Sequence, residues 1–173
     1  MPSPYLFFRP ILAADSSWTA FNWQTTCPEK TSAQDWMRGF AESAAEPLAT
    51  ILPLLIRDSA KDLAQQAFTE SFDPRQVVFI LPTSCLENTN TMARCKELRS
   101  LGYRLGVHLD RAGAVRQVPL ASFDHLQFDA HFARLDMPVA DLNYASDAGF
   151  RKVATSVNSH EMFEWLAEKG FDW

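Results

Sequence analysis

Cys95-Lys96-Glu97-Leu98-Arg99-Ser100-Leu101-Gly102-Tyr103-Arg104-Leu105-Gly106-Val107 is the stretch on which the fold turns. Its first half continues a helical face made by Met92, Cys95 and Leu98. Gly102 then stands where a left-handed residue can end a helix without steric cost. From Tyr103 to Leu109 the pattern becomes strand-like. Just upstream, Val77 to Leu81 is an unbroken apolar run and the clearest strand in the chain. Repeated strand–helix units of this kind predict an α/β protein with a mostly parallel sheet.

The alternation extends in both directions. Tyr5 to Leu12 reads as a strand at a sheet margin because Pro10 removes a donor, and Trp18 to Gln24 reads as its neighbour across Ala13–Ser17. Ser32, with Asp35 three residues on, predicts a capped helix carrying Trp36, Met37, Phe40 and Ala44 as far as Pro47. Ile51 to Ile56 reads as a buried strand, with Pro53 inside it. Ser59 to Asp62 opens another helix, through Leu63, Ala67 and Phe68, which Asp73-Pro74 breaks. Phe123–Phe128 and Arg151–Val157 are further strands. Ser159 caps a last helix bearing Phe163, Leu166 and Ala167, and Gly170 stops it. Periodicity does not separate a doubly wound sheet from a barrel. A complete (β/α)8 barrel takes about 250 residues, and roughly 200 at the lower end, so a barrel in 173 residues would be short.

Composition bounds the function. The hydrophobic fraction of 47% and charged fraction of 21% suit one globular domain over residues 1–173. A net charge of −5 argues against a nucleic acid polymer and against an anionic membrane surface as partner. Pro47 to Ile56, the longest apolar stretch, is too short to span a bilayer, and the N-terminus lacks a basic leader segment; the expected location is cytoplasmic. Cys27, Cys85 and Cys95 are odd in number and form no CxxC, which predicts free, packed thiols. There is no P-loop, GxGxxG, GxSxG or HExxH motif. His108, His125, His131 and His160 lack zinc-site spacing, so no metal or cofactor is expected from them. Asp124 and Asp129, flanking one strand, are the only carboxylate pair considered for acid–base work.

Six stretches, in order, resemble the EAL family of cyclic-di-GMP phosphodiesterases, and in particular the shorter EAL domains that precede an HDOD domain in bacterial signalling proteins. Phe8-Arg9-Pro10-Ile11-Leu12 is similar to the family's opening (R)QPI segment, and Ala20-Phe21-Asn22-Trp23 to its AYEL segment. Val77–Pro82 resembles the strand carrying Glu-x-Leu, Cys95–Val107 the helix and strand before the paired aspartates, Phe123–Asp129 the Lys-x-Asp strand, and Lys152–Phe171 the strand ending in Val-Glu-Thr with its following helix. The resemblance implies an EAL-type (β/α)8 TIM-like barrel, shortened or incomplete at the C-terminus.

The departures bear on activity. Family members hold two metal ions that activate water against a phosphodiester, and those ions need oxygen donors. Here the signature glutamate falls on Ile80, its leucine on Pro82, the AYEL glutamate on Asn22, and an early asparagine near Arg57, whose charge would repel a cation. The aspartate pair falls on His108-Leu109, the lysine on Gln127, and two later glutamates on Thr155 and Asn158; Asp129 alone keeps its acid. The expectation is therefore a catalytically inactive module acting through protein or interdomain contacts, with a protein partner or an adjacent HDOD-type domain, and with cyclic-di-GMP binding doubtful. The alternative is a metal-independent cyclic-di-GMP receptor, in which Arg9, Arg104, Gln127, Asp129 and Asn158 would line the ligand. No metal site and no catalytic residue are expected.

Overall fold

The structure is a computed structural model that describes residues 6–25, 32–42, 45–57 and 63–172. Seven strands lie side by side in chain order: β1 (Leu6–Leu12), β2 (Trp18–Thr25), β3 (Leu54–Arg57), β4 (Val77–Pro82), β5 (Arg104–Leu109), β6 (His125–Asp129) and β7 (Arg151–Thr155). The short turn at Ala13–Ser17 forces β1 antiparallel to β2, because a link of that length cannot carry the chain back to a parallel start. There the Asp15 carboxylate accepts from the Ser17 amide and hydroxyl at 2.9 and 2.6 Å. Every later pair, β2 to β7, is parallel. The helices are α1 (Ala33–Glu42), α2 (Ala45–Ile51), α3 (Gln66–Glu70), α4 (Thr89–Ser100), α5 (Ala130–Leu135), α6 (Val139–Asp147) and α7 (His160–Glu168).

Local signals act as their chemistry dictates. The Ser32 amide donates to Asp35 and the Asp35 amide to the Ser32 hydroxyl, a reciprocal cap on α1. The Ser159 hydroxyl accepts from the Met162 amide at the start of α7. Gly102 adopts φ +92°, which lets the Tyr103 amide turn back onto the Leu98 carbonyl at 3.0 Å.

Two expectations need correction. Pro47 does not end a helix; it lies in the first turn of α2, where a missing amide costs nothing. Ile51 is consequently helical, and the strand expected over 51–56 begins only at Leu54, after Pro53. The expectations for Cys27 and for a helix start at Ser59–Asp62, and those for the side chains of Trp36, Met37, Ala44 and Ala67, lie outside the described residues or side chains.

Strand parity divides the core. Leu54, Ile56, Phe79, Leu105, Val107 and Phe128 face outward into the main core, beneath helices that supply Phe68, Cys95, Leu98 and Leu166. Ile11, Ala20, Leu55, Val78, Ile80 and Val153 face the other way and form a second, smaller cluster. The seven strands thus curl around an interior of their own, an open barrel. A Cβ at Gly106 would stand 2.6 Å from Ile80 Cδ1 and 3.0 Å from the His125 carbonyl oxygen, so only glycine lets both side chains fill this level. The curl stops short of closure: a groove of ≈240 Å³ runs between β1 and β7, lined by Arg9, Ile11, Asn22, Thr155, Phe163 and Leu166 among others. Among the described residues no helix is long and apolar enough to cross a membrane.

Candidate functional site at the mouth of the barrel

In a parallel barrel the strands' C-terminal ends and the loops after them carry the chemistry, since the fixed strands aim their last side chains at one opening. Here that opening receives Arg57 from β3, His108 from β5 and Gln127 from β6, with Asp110, Asp129, Thr155 and Asn158 around it. The ladder fixes their relation: Arg57 lies opposite Ile80, Pro82 opposite His108, His108 opposite Gln127, and Asp129 opposite Thr155.

Polar groups are buried at and below this opening. Gln127 is 1% exposed and Asn22, lower on the interior wall, 6%. Gln127 lies opposite His108 and its side chain bonds the imidazole, while Asn22 Oδ1 is buried without a hydrogen-bond partner among the described residues. Each such atom costs about 1–3 kcal/mol against its hydrated state. Groups of this kind are poised for a ligand that supplies the missing partner.

Charge at the opening is unevenly committed. Asp129 caps α5, with Oδ1 accepting from the His131 and Phe132 amides at 3.0 and 3.3 Å. Burial pushes its carboxyl up, but bonds from Ser156 and those two amides outweigh this and hold it below the usual carboxylate range. The Thr83 hydroxyl lies 3.0 Å from Asp110 Oδ1 and 2.7 Å from the His108 carbonyl. Burial, then the nearby Arg57 charge, push the His108 imidazole below its ordinary value; Asp110, Gln127 and Asp129 pull it up without prevailing. It is therefore neutral at pH 7.

The residues singled out from sequence are only partly brought together. Gln127, Asp129 and Asn158 share the opening, where Asn158 Nδ2 lies 3.2 Å from His131 Nε2. Arg9 lies opposite Asn22 and lines the open groove, with its guanidinium over the Phe7 ring. Arg104 does not belong to the site. It starts β5, at the opposite end, and donates to the Arg75 carbonyl at 2.6 Å. Asp124 and Asp129 are likewise no acid–base pair, since they flank β6 and stand about 16 Å apart along it. Asp124 instead holds Arg99 and His125 Nδ1, each at 2.6 Å. Arg57 and Asn22 are not among the residues expected to meet a ligand; the available signals were the strand-end position of Arg57 and the inward parity of both.

A two-metal site of the kind the resemblance implies does not fit these residues. Ile80 is an inward-facing hydrocarbon, Asp129 is spent on a helix cap, and Arg57 brings a positive charge. Among the described residues no three His, Cys, Asp or Glu side chains converge. Cys85 and Cys95 are buried, and that burial pushes their thiols up to about 11 and about 12, which leaves them as packing.

No family model matches the sequence, and no curated protein matches it. Solved structures do match. The PaMucR phosphodiesterase in complex with cyclic-di-GMP superposes with TM-score 0.73 at 13% identity, covering 98% of this chain and 87% of that one. The EAL domain of Xanthomonas citri FimX, also with cyclic-di-GMP, gives 0.72 at 12% identity, covering 98% and 83%. The EAL enzyme Bd1971 in its cGMP-bound form gives 0.70 at 15% identity; it covers 98% of this chain, which spans only 59% of that protein. The fold is that of EAL domains, and among the described residues its sheet has seven strands. These neighbours also correct the expectation that cyclic-di-GMP binding is doubtful, because the shared fold is repeatedly seen with that nucleotide in place.

Proposed function

We propose that this domain is a cyclic-di-GMP signalling module that binds the nucleotide at the mouth of its barrel without a metal ion and does not hydrolyse it. The observation that carries the proposal is the polar set Arg57, His108 and Gln127 at the strand ends, with Asn22 Oδ1 buried without a partner on the wall below. Structures with this fold hold cyclic-di-GMP, which supports the choice of ligand. The nucleotide offers guanine donors and acceptors to an amide, and anionic phosphodiesters to a guanidinium.

The absence of hydrolysis follows from the same residues. Cleaving a phosphodiester requires a water made nucleophilic and a stabilised leaving oxygen. Ile80 and Thr155 supply no carboxylate, and His108 stands beside a repelling cation. Readout would then run through contacts with another protein or an adjoining domain of HDOD type, because a bound but unprocessed nucleotide can signal only by changing a surface.

The test is equilibrium dialysis of the purified chain against cyclic-di-GMP in EDTA, followed by chromatography of the nucleotide after incubation with Mn. Retained, intact cyclic-di-GMP is the expected result. Linear product formed at a rate proportional to protein would contradict it, as would a nucleotide distribution no different from buffer.

A further inference from the structure

The two edges of the sheet line one groove, and neither edge is finished. The Arg151 amide donates to the Asp124 carbonyl at 2.9 Å, so alternation along β7 turns the backbone of Lys152 and Ala154 away from β6 and toward the seam. At Lys152 that edge is already paired. Its amide donates to Asp172 Oδ2 at 2.8 Å, and its carbonyl accepts from the Asp172 amide at 2.9 Å. One step further along, the Ala154 amide and carbonyl meet no backbone partner among the described residues. Across the seam, the Phe21 amide donates to the Pro53 carbonyl, which makes Pro10–Phe21 a non-bonded pair and turns the backbone of Phe8 and Pro10 outward from β2. The groove of ≈240 Å³ between these edges has walls of two kinds. Phe163, Leu166 and Phe171 give it hydrocarbon, whereas Asn22, 6% exposed, points an oxygen into it that no described donor meets. Arg9 is the one charge in the lining among the described residues.

We propose that this seam docks an extended strand of a partner protein, apolar on one face and acidic on the other. The occupant is a strand because the flanking edges offer backbone hydrogen bonds, which only another backbone uses in full. Ala154 supplies a donor and an acceptor; Pro10 adds a carbonyl without an amide, which leaves β7 as the stronger edge. Side chains alternate along a strand, so one face of the guest meets Phe163, Leu166 and Phe171 and takes apolar residues. Its other face meets Asn22 and Arg9. There the Asn22 oxygen calls for a donor, and the guanidinium calls for a carboxylate in a charge-assisted pair. A fatty acid would supply hydrocarbon and an anion, yet it brings no donor to Asn22 and nothing to the Ala154 edge. This surface goes beyond the nucleotide reading and does not rest on it.

The probe is a short synthetic peptide, capped at both ends, that alternates valine with threonine, glutamate and glutamine. It is added to the whole chain; NMR follows hydrogen exchange at the Ala154 amide, and fluorescence anisotropy reads affinity. The peptide is expected to slow exchange at Ala154 about ten-fold or more and to leave Lys152, already bonded to Asp172, unchanged. Proline in place of two of the valines should abolish that protection by removing backbone donors. Lysine in place of the glutamate should weaken binding about ten-fold. Arg9→Glu should reverse the preference, binding the lysine peptide and losing the glutamate one. Arg9 is exposed, so this variant should melt as wild type does. Exchange at Ala154 that ignores the peptide would overturn the docking site. Equal protection by the proline peptide would overturn strand pairing, and equal affinity for the glutamate and lysine peptides would overturn the acidic face. Protection that rises with protein concentration alone, with a dimer in sedimentation, would give the seam to a second copy and overturn the partner strand.

Discussion

The two ends of the barrel hold similar kinds of side chain in opposite states. At the floor, where the parallel strands begin, polar groups are matched within the chain. Asp124 bridges Arg99 and His125, and Arg104 reaches the Arg75 carbonyl. Lys152, 1% exposed, gives its ammonium to Ser146 Oγ and the Lys169 carbonyl at 2.6 Å each and lies over the Phe171 ring. The Ser122 hydroxyl is an exception. Toward the mouth, Arg57 is exposed at the end of its strand and Asn22 Oδ1 on the interior wall is buried without a partner among the described residues. Floor polarity therefore stabilises the fold, whereas an unpartnered buried group such as the Asn22 carbonyl costs stability.

Substitutions should separate the two ends. The largest effect is expected at Lys152. Lys152→Ala removes the donor to the Ser146 hydroxyl and the Lys169 carbonyl and opens a cavity where the buried lysine stem packs, a loss of about 2–4 kcal/mol seen as a lowered melting temperature. Cyclic-di-GMP affinity should not change in that variant.

Asp124 comes next. Its environment is part-exposed, so Asp124→Asn should cost about 1–2 kcal/mol at pH 7 after solvent screening. Burial pushes this carboxyl up, but the bonds and charges of His125 and Arg99 outweigh that and hold it below 3.8. A depressed carboxylate stabilises the fold above its unfolded value and loses that contribution as pH falls through the folded one. Denaturation curves of wild type and Asp124→Asn should accordingly converge below about pH 4. A gap that persisted at pH 2 would assign the effect to shape rather than charge.

The smallest effect on stability, and the opposite sign, is expected at Gln127. Gln127→Leu exchanges a buried amide for a hydrocarbon of similar volume and should leave stability unchanged or raise it by up to about 1 kcal/mol. The same change should weaken cyclic-di-GMP binding about ten-fold. A destabilised Gln127→Leu with normal binding would erase the contrast between the two ends.

Much of this organisation is written locally. Gly102, Ser159 and the Ser32–Asp35 box announce element ends because their chemistry acts within a few residues. The strand cores are legible because β4 is apolar on both faces and β5 carries Leu105, Val107 and Leu109 on one. The helices at 130–147 were not anticipated, since Met137-Pro138 interrupts them and their apolar positions are few. Pro47 misled because a proline is tolerated in the first turn of a helix but not in its body, and sequence does not say where a helix begins. The site was harder for a geometric reason. Arg104 and Arg57 look alike in sequence, yet one opens its strand and the other ends it, which puts them at opposite ends of the barrel. Asp124 and Asp129 look like neighbours for the same reason and are not. Which strand residues face the interior became legible only once the curl of the sheet assigned a parity to each strand.

Calorimetric titration of the purified chain with cyclic-di-GMP in EDTA tests the central claim most directly. Saturable binding that added Mg leaves unchanged is the predicted result. Flat heats at high protein concentration, or binding that appears only when Mg is added, would contradict it.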